Sequence, residues 1–421
     1  MAKRPVGLIA GGLILIGALI ALVGFRMDND TGQSDGAAPM ASTATPASST
    51  SVPVSGGPDT SVPNTSVSNT SAPATGVAPT TAAPYTGQPH PGGDLALPVW
   101  DAPFYATPAE LEVYLDHLAT TGYSGAWMSL IGFSGRRNGQ LTSSPALGVP
   151  QAIVNDGAMF VSDEALSRML FILDAAQRRG LQIGVVATWG QHWLNGDGDN
   201  CFANPANIGN GPLQASNAEL LGRQIGAYFG DHPAIAYWLL GGDNYCQGSV
   251  GDSSEDPAIW RNYAAGIRAG GSTLPMTYHT PHSPGPGLRP PHTWMMDEAW
   301  VDFLSPQTGH CVPASMAIDN LTALAAVTPK PIVAAEMRYE SPAGVANFCG
   351  AIASATDIAD DTRAAVTAGA DALVFGHHHR FSWAADIGSG SLQEPNTASV
   401  FATFGSPGEL ALFETLRAGA F

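Results

Sequence analysis

The sequence predicts an α/β fold: a (β/α)8 TIM barrel preceded by an N-terminal transmembrane segment and a disordered linker. From residue 94 onward, eight apolar strand-like runs alternate with amphipathic helical stretches, the pattern of a parallel sheet covered by helices. Polar and aromatic residues gather at the C-terminal ends of those runs, where a barrel places its chemistry. No Gly-x-Gly-x-x-Gly opens the first helix, which argues against the rival open doubly wound sheet.

The expected strands are Leu95 to Asp101, Gly125 to Ile131, Ile183 to Trp189, Ala234 to Asp243, Leu274 to His279, Val301 to Gln307, Pro331 to Glu336 and Ala372 to His377. Helices are expected over Pro108 to Thr121, Ser162 to Arg179, Ser216 to Phe229, Asp256 to Arg268, Ser315 to Ala326, Asp357 to Ala368 and Gly408 to Ala418. Thr107 followed by Pro108 and Glu110 reads as a cap with a first-position proline, and Ser162-Asp163-Glu164 sets a cap before two acids.

Three regions follow from composition: a signal anchor or transmembrane segment over 1–26, a Ser/Thr/Pro-rich disordered linker over 27–93 and a catalytic domain over 94–421. Gly7 to Phe25 is apolar or glycine throughout, close to the roughly 20 residues needed to cross a bilayer. It exceeds the roughly 7 to 15 residues of a signal-peptide core, so an uncleaved anchor is favoured over a cleaved signal. Lys3 and Arg4 precede it, which orients the N-terminus to the cytoplasm and the remainder outside; cleavage would make the protein secreted. The linker holds too little apolar surface to offset the entropy of ordering and reads as an extended stalk.

A net charge of −18 argues against nucleic acid as a partner, and contact with a membrane is expected through the N-terminal helix only. A carbohydrate is easier to reconcile with this charge. Four cysteines, Cys201, Cys246, Cys311 and Cys349, fall in the expected external domain, where disulfides persist. Pairs 201–246 and 311–349 are preferred because each joins neighbouring loops on one face of the barrel, with free buried thiols as the alternative.

Two stretches deliver an acid at the end of a buried strand. Ala234 to Leu240 is wholly apolar and runs through Gly241 and Gly242, read as a sharp turn, to Asp243 and Asn244. Pro331 to Ala335 likewise runs into Glu336, with Arg338, Tyr339 and Glu340 close behind. A buried carboxylate without compensation is costly, so Asp243 and Glu336 call for a functional reason. Asp101, Trp189, Tyr278, His279, Gln307, His310 and His377 fall at other strand ends. Rings that stack on a sugar, polar groups that read hydroxyls and two acids that break a glycosidic bond together suit a glycan.

Competing chemistries have less support. Neither a Gly-x-Ser-x-Gly elbow nor a phosphate-binding loop occurs. His377-His378-His379 resembles a metal site, but adjacent residues of an extended segment point to opposite faces, so neither metal nor cofactor is expected. A metal-dependent hydrolase and a non-catalytic cell-surface glycan-binding barrel remain the alternatives.

Six motifs, in order, carry a family resemblance across Asp94 to about Trp383: Val185-Val186-Ala187-Thr188-Trp189-Gly190, Trp238-Leu239-Leu240-Gly241-Gly242-Asp243, Met276-Thr277-Tyr278-His279, Gln307-Thr308-Gly309-His310, Lys330 to Glu336 continuing through Arg338-Tyr339-Glu340, and Phe375-Gly376-His377. The chain resembles the apiosidase-like glycoside hydrolases, barrel enzymes acting on complex glycans. The resemblance implies that Asp243 is the general acid/base and that the strand-seven motif supplies the second carboxylate. Glu336 is preferred over Glu340 because it ends the strand. Near the first strand the family's Gly-Asp-Thr-Ala-Trp-like run is replaced by Val99-Trp100-Asp101-Ala102-Pro103-Phe104, so the pocket beside Asp101 departs from the pattern. Substrate contacts are expected at Asp101, Trp189, Asn244, Tyr278, His279, Gln307, His310, Arg338, Tyr339, Glu340 and His377. Carboxyl separation decides the outcome, about 5 to 5.5 Å for retention and about 6.5 to 9.5 Å for inversion.

Overall fold

The computed structural model describes residues 94–98, 101–132, 151–155, 158–189, 212–242, 256–280, 294–308, 314–340, 353–377 and 397–418. The apolar run at 7–25, the linker and all four cysteines lie outside the described residues. No helix among the described residues is long and apolar enough to cross a membrane.

Eight parallel strands form one curled sheet: β1 (Asp94–Pro98), β2 (Gly125–Ser129), β5 (Gln182–Val186), β6 (Ile235–Gly242), β7 (Met276–Thr280), β8 (Ser305–Pro306), β9 (Val333–Ala334) and β10 (Ala372–Val374). Each pairs with the next in chain order, and β1 also pairs with β10, Asp94 opposite Ala372. Backbone bonds bring β8 and β9 together: the Val333 N–H donates to the Leu304 carbonyl at 2.8 Å and the Thr308 N–H to the Ala335 carbonyl at 2.7 Å. The result is a TIM-barrel-like α/β fold. All eight expected strands occur, shorter than their apolar runs because the ladder ends where the chain leaves for a loop.

Helices cover the outside: α1 (Ala102–Tyr105), α2 (Pro108–Thr121), α3 (Asp163–Gln177), α4 (Ala215–Phe229), α5 (Pro257–Ala269), α6 (Ala314–Val327), α7 (Ala355–Thr367), α8 (Thr397–Phe401) and α9 (Pro407–Arg417). The two caps read from sequence are in place. Thr107 and Glu110 form a reciprocal capping box at α2, and the Ser162 hydroxyl accepts the Ala165 N–H at 3.1 Å. Leu111, Tyr114, Leu115 and Leu118 form the buried face of α2, each contributing about 1.5 to 3 kcal/mol by leaving water. A hairpin of β3 (Ala152–Asn155) and β4 (Ala158–Val161), inserted between β2 and α3, was not expected; each of its strands is only four residues long. Helices α1 and α8 were also missed, both about one turn long.

The core has two parts. Leu115, Ile172, Ile225, Trp260 and Leu412 belong to the larger one, which packs sheet against helices. Trp127, Val186, Trp189, Tyr237, Leu239, Phe303 and Val374 form a separate cluster. Alternation along each strand sends successive side chains to one or the other: Trp127 joins the second cluster, while its neighbours Ala126 and Met128 join the first.

Candidate active site

Strand β7 places His279. Its alternation puts Thr277 and His279 on one face and Met276 and Tyr278 on the other. The Thr277 hydroxyl donates to the Phe303 carbonyl at 2.6 Å, and His279 Nδ1 lies 3.0 Å from the Ser305 carbonyl. A carbonyl only accepts, so that contact assigns the proton to Nδ1. His279 Nε2 then faces Glu336 Oε2 at 3.4 Å. This approach is attractive when a proton sits between ring and carboxylate.

Glu336 follows β9 and is 4% exposed. It has φ of 47°, the sole positive φ of a non-glycine among the described residues. Side chains rarely adopt this left-handed region, and its cost persists only where the surroundings enforce it. Here the Tyr339 hydroxyl donates to Oε1 at 2.8 Å and the Gln307 amide donates to Oε2. An ionised carboxylate is acceptor-only, and each oxygen of Glu336 meets a donor.

Beside His279 lies Trp127, which sequence reasoning passed over. Trp189, one of the expected contacts, is fully buried and donates from Nε1 to the Ser129 hydroxyl at 2.9 Å. The Trp127 indole donates to the Tyr237 hydroxyl at 2.5 Å and meets the His279 ring edge-on, centroids 5.6 Å apart at 82°. No candidate had been drawn from β2. The signal was available in Gly125-Ala126-Trp127-Met128-Ser129, where Trp127 and Ser129 share one face of the strand and a polar residue closes an apolar run.

The structure brings together His279, Gln307, Glu336 and Tyr339, and it turns other expected contacts elsewhere. Tyr278 points outward from β7 and packs against Trp260, centroids 4.9 Å apart, because adjacent strand residues cannot share a face. Arg338 turns to α7: Nε and Nη2 donate to Asp361 at 2.8 and 2.7 Å, and Nη1 to Asp357 at 3.2 Å. Hydrogen bonding to Asp361 holds the guanidinium above its ordinary pKa, while burial pushes the Asp361 carboxyl up against that pull. Glu340 accepts the Ser406 hydroxyl at 2.5 Å and the Gly408 N–H at 2.7 Å, and thus holds the start of α9. His377 Nε2 lies 4.0 Å from Glu340. Asp101, nearly buried, stands at the N-cap of α1 rather than in a strand. Asp243, Asn244 and His310 lie outside the described residues.

Strand β6 is described to Gly242, the residue before Asp243 in the sequence. Gly241 and Gly242 do not form the expected turn; both are buried within β6. A Cβ on Gly241 would overlap the Trp260 ring, and one on Gly242 would lie 2.5 Å from both Cβ and the carbonyl oxygen of His279. The glycines therefore permit close packing, and Gly242, covalently attached to Asp243, pairs with His279. No group of three or more His, Cys, Asp or Glu that could hold a metal occurs among the described residues.

A TIM-barrel-like α/β fold thus carries a buried carboxylate, held by donors, just after its seventh strand. The chain belongs to the apiosidase-like family: the profile of that family's catalytic domain matches residues 95–398. Among solved structures it is similar to a protein described as a glycoside hydrolase, with 21% identity, TM-score 0.55, and 75% of this chain and 67% of that one covered. It is also similar to a glycoside hydrolase family 5 protein from Bacteroides vulgatus ATCC 8482, with 20% identity, TM-score 0.55, and 75% and 65% covered. The chain thus spans about two thirds of the length of either structure. No curated protein matches the sequence.

Proposed function

We propose that this protein hydrolyses a glycosidic bond in a complex polysaccharide or oligosaccharide by a two-carboxylate mechanism, with Glu336 as nucleophile and Asp243 as acid/base. The observation that carries this reading is the strained, buried Glu336 carboxylate with a donor on each oxygen. Glu340, the other candidate, is occupied in holding α9. In the proposed first step a Glu336 oxygen bonds to the anomeric carbon as the bond to the leaving oxygen breaks, and Asp243 gives that oxygen its proton. Water then attacks the glycosyl-enzyme, Asp243 takes its proton, and Glu336 leaves, with net retention.

His279 and Gln307 hold Glu336 and the Trp189 region walls the sugar site. The N-terminal segment tethers the enzyme outside the cytoplasmic membrane on the linker, with the protein secreted if that segment is cleaved. Furanosides such as apiosides or arabinosides are the first substrates to try, on the strength of the family.

The experiment is a screen of the domain from Gly93 onward against plant and bacterial envelope glycans, with Asp243→Asn and Glu336→Gln alongside. Sugar release by wild type that both variants lose supports the reading. Binding without release by folded wild-type protein replaces it with a glycan-binding barrel, and release that a chelator abolishes replaces it with a metal-dependent hydrolase.

A further inference from the structure

The strand-eight motif contains a glycine whose role in the chemistry is unassigned. A Cβ built on Gly376 would overlap the Cδ1–Cε1 edge of the Tyr339 ring, closer than any real Cβ contact. The ring cannot readily move aside, since Tyr339 is fully buried. Nor can the backbone. The Met337 N–H donates to the Val374 carbonyl at 3.3 Å and the Glu340 N–H to the Gly376 carbonyl at 3.1 Å, so the segment carrying Tyr339 is fixed to the end of β10 on both sides. At the far end of that ring, the hydroxyl donates to Glu336 Oε1 at 2.8 Å.

We infer that Gly376 is a positioning residue for Glu336: the empty space at its Cα seats the Tyr339 ring, and the ring sets the hydroxyl on the carboxylate. The idea rests on Glu336 being the reacting carboxylate, but its physical content does not. An added methyl would tilt the ring about its anchored backbone and withdraw the hydroxyl. Oε1 would lose a donor, while Gln307 and His279 would continue to face Oε2. Loss of a donor favours the protonated carboxyl.

Two measurements on the full-length protein test this without any substrate. The first is a denaturation cycle of Gly376→Ala in the wild-type and Tyr339→Ala backgrounds. The methyl should destabilise the wild type and cost far less where the ring is gone; equal cost in both backgrounds would overturn the contact. If Gly376→Ala alone does not fold, folding of the double variant reports the same coupling, and its failure to fold overturns it. The second is a 13C carboxyl titration of glutamate-labelled protein, with the Glu336 signal assigned through Glu336→Gln. Its midpoint should rise by about one pH unit in Tyr339→Phe and in Gly376→Ala, with no further rise when the two are combined. A midpoint that Tyr339→Phe raises but Gly376→Ala alone leaves unmoved overturns the positioning role. Because neither readout needs hydrolysis, wild-type silence on every glycan would count against the proposed function and leave this inference standing.

Discussion

The Gly408 N–H donates to Glu340 Oε1 at 2.7 Å and thereby fastens the segment that follows β9 to the first turn of α9. The contact is close enough that a Cβ on Gly408 would lie 2.5 Å from Glu340 Cδ. Two acids four residues apart in sequence thus have different work: Glu340 holds a helix N-terminus, favourable for an anion, while Glu336 faces His279 and Tyr339.

Replacing Glu340 should therefore act on stability. Glu340→Ala removes the acceptor for Ser406 and Gly408 and should cost about 2 to 4 kcal/mol in a urea titration. Glu340→Gln keeps one acceptor and should cost less. Hydrolysis per folded molecule should fall far less than in Glu336→Gln.

Backbone strain at Glu336 gives an inverted ranking. At an ordinary buried position alanine is the more stable replacement, but at φ of 47° glycine is the less strained one. Glu336→Gly should exceed Glu336→Ala in stability by about 1 kcal/mol, measured by denaturant midpoint.

Gly242→Ala places a methyl against the His279 backbone and tests the close packing of β6 on β7. Overpacking of this kind should cost about 1 to 3 kcal/mol. It should also displace His279 from Glu336, so kcat should fall more than KM rises on any glycan that the wild type cleaves.

Asp357 supplies a pH dependence. The backbone N–H of Ser354, at 2.8 Å, followed by the Ser354 hydroxyl and Arg338, holds its carboxyl below the ordinary value. A depressed folded value contributes stability above the unfolded pKa, about 3.9, and loses it as pH falls through the folded value. Asp357→Asn should lower the urea midpoint at pH 7, and its difference from wild type should close toward pH 2.

Most of the barrel was legible because apolar runs and helix caps are local signals: α2 begins at Pro108 and ends at Thr121 as read, and every strand expected is present. Which strand-end residues face one another was less legible. Tyr278 and His279 look alike in sequence, yet one packs on Trp260 and the other on Glu336, a distinction that alternation alone could have drawn. Arg338 and Glu340 could not be placed from sequence, because their partners Asp361 and Gly408 lie 23 and 68 residues away. The same holds for Gly241 and Gly242, whose reason is a ring and a strand from elsewhere in the chain.

The central claim is that Glu336 does the chemistry, and the most direct test is sugar release by Glu336→Gln on the glycan that the wild type cleaves. The account predicts a folded protein whose release falls by about a thousandfold or more. Release within a few fold of wild type would contradict it and return the second carboxylate to Glu340 or to a residue outside the strand-seven motif.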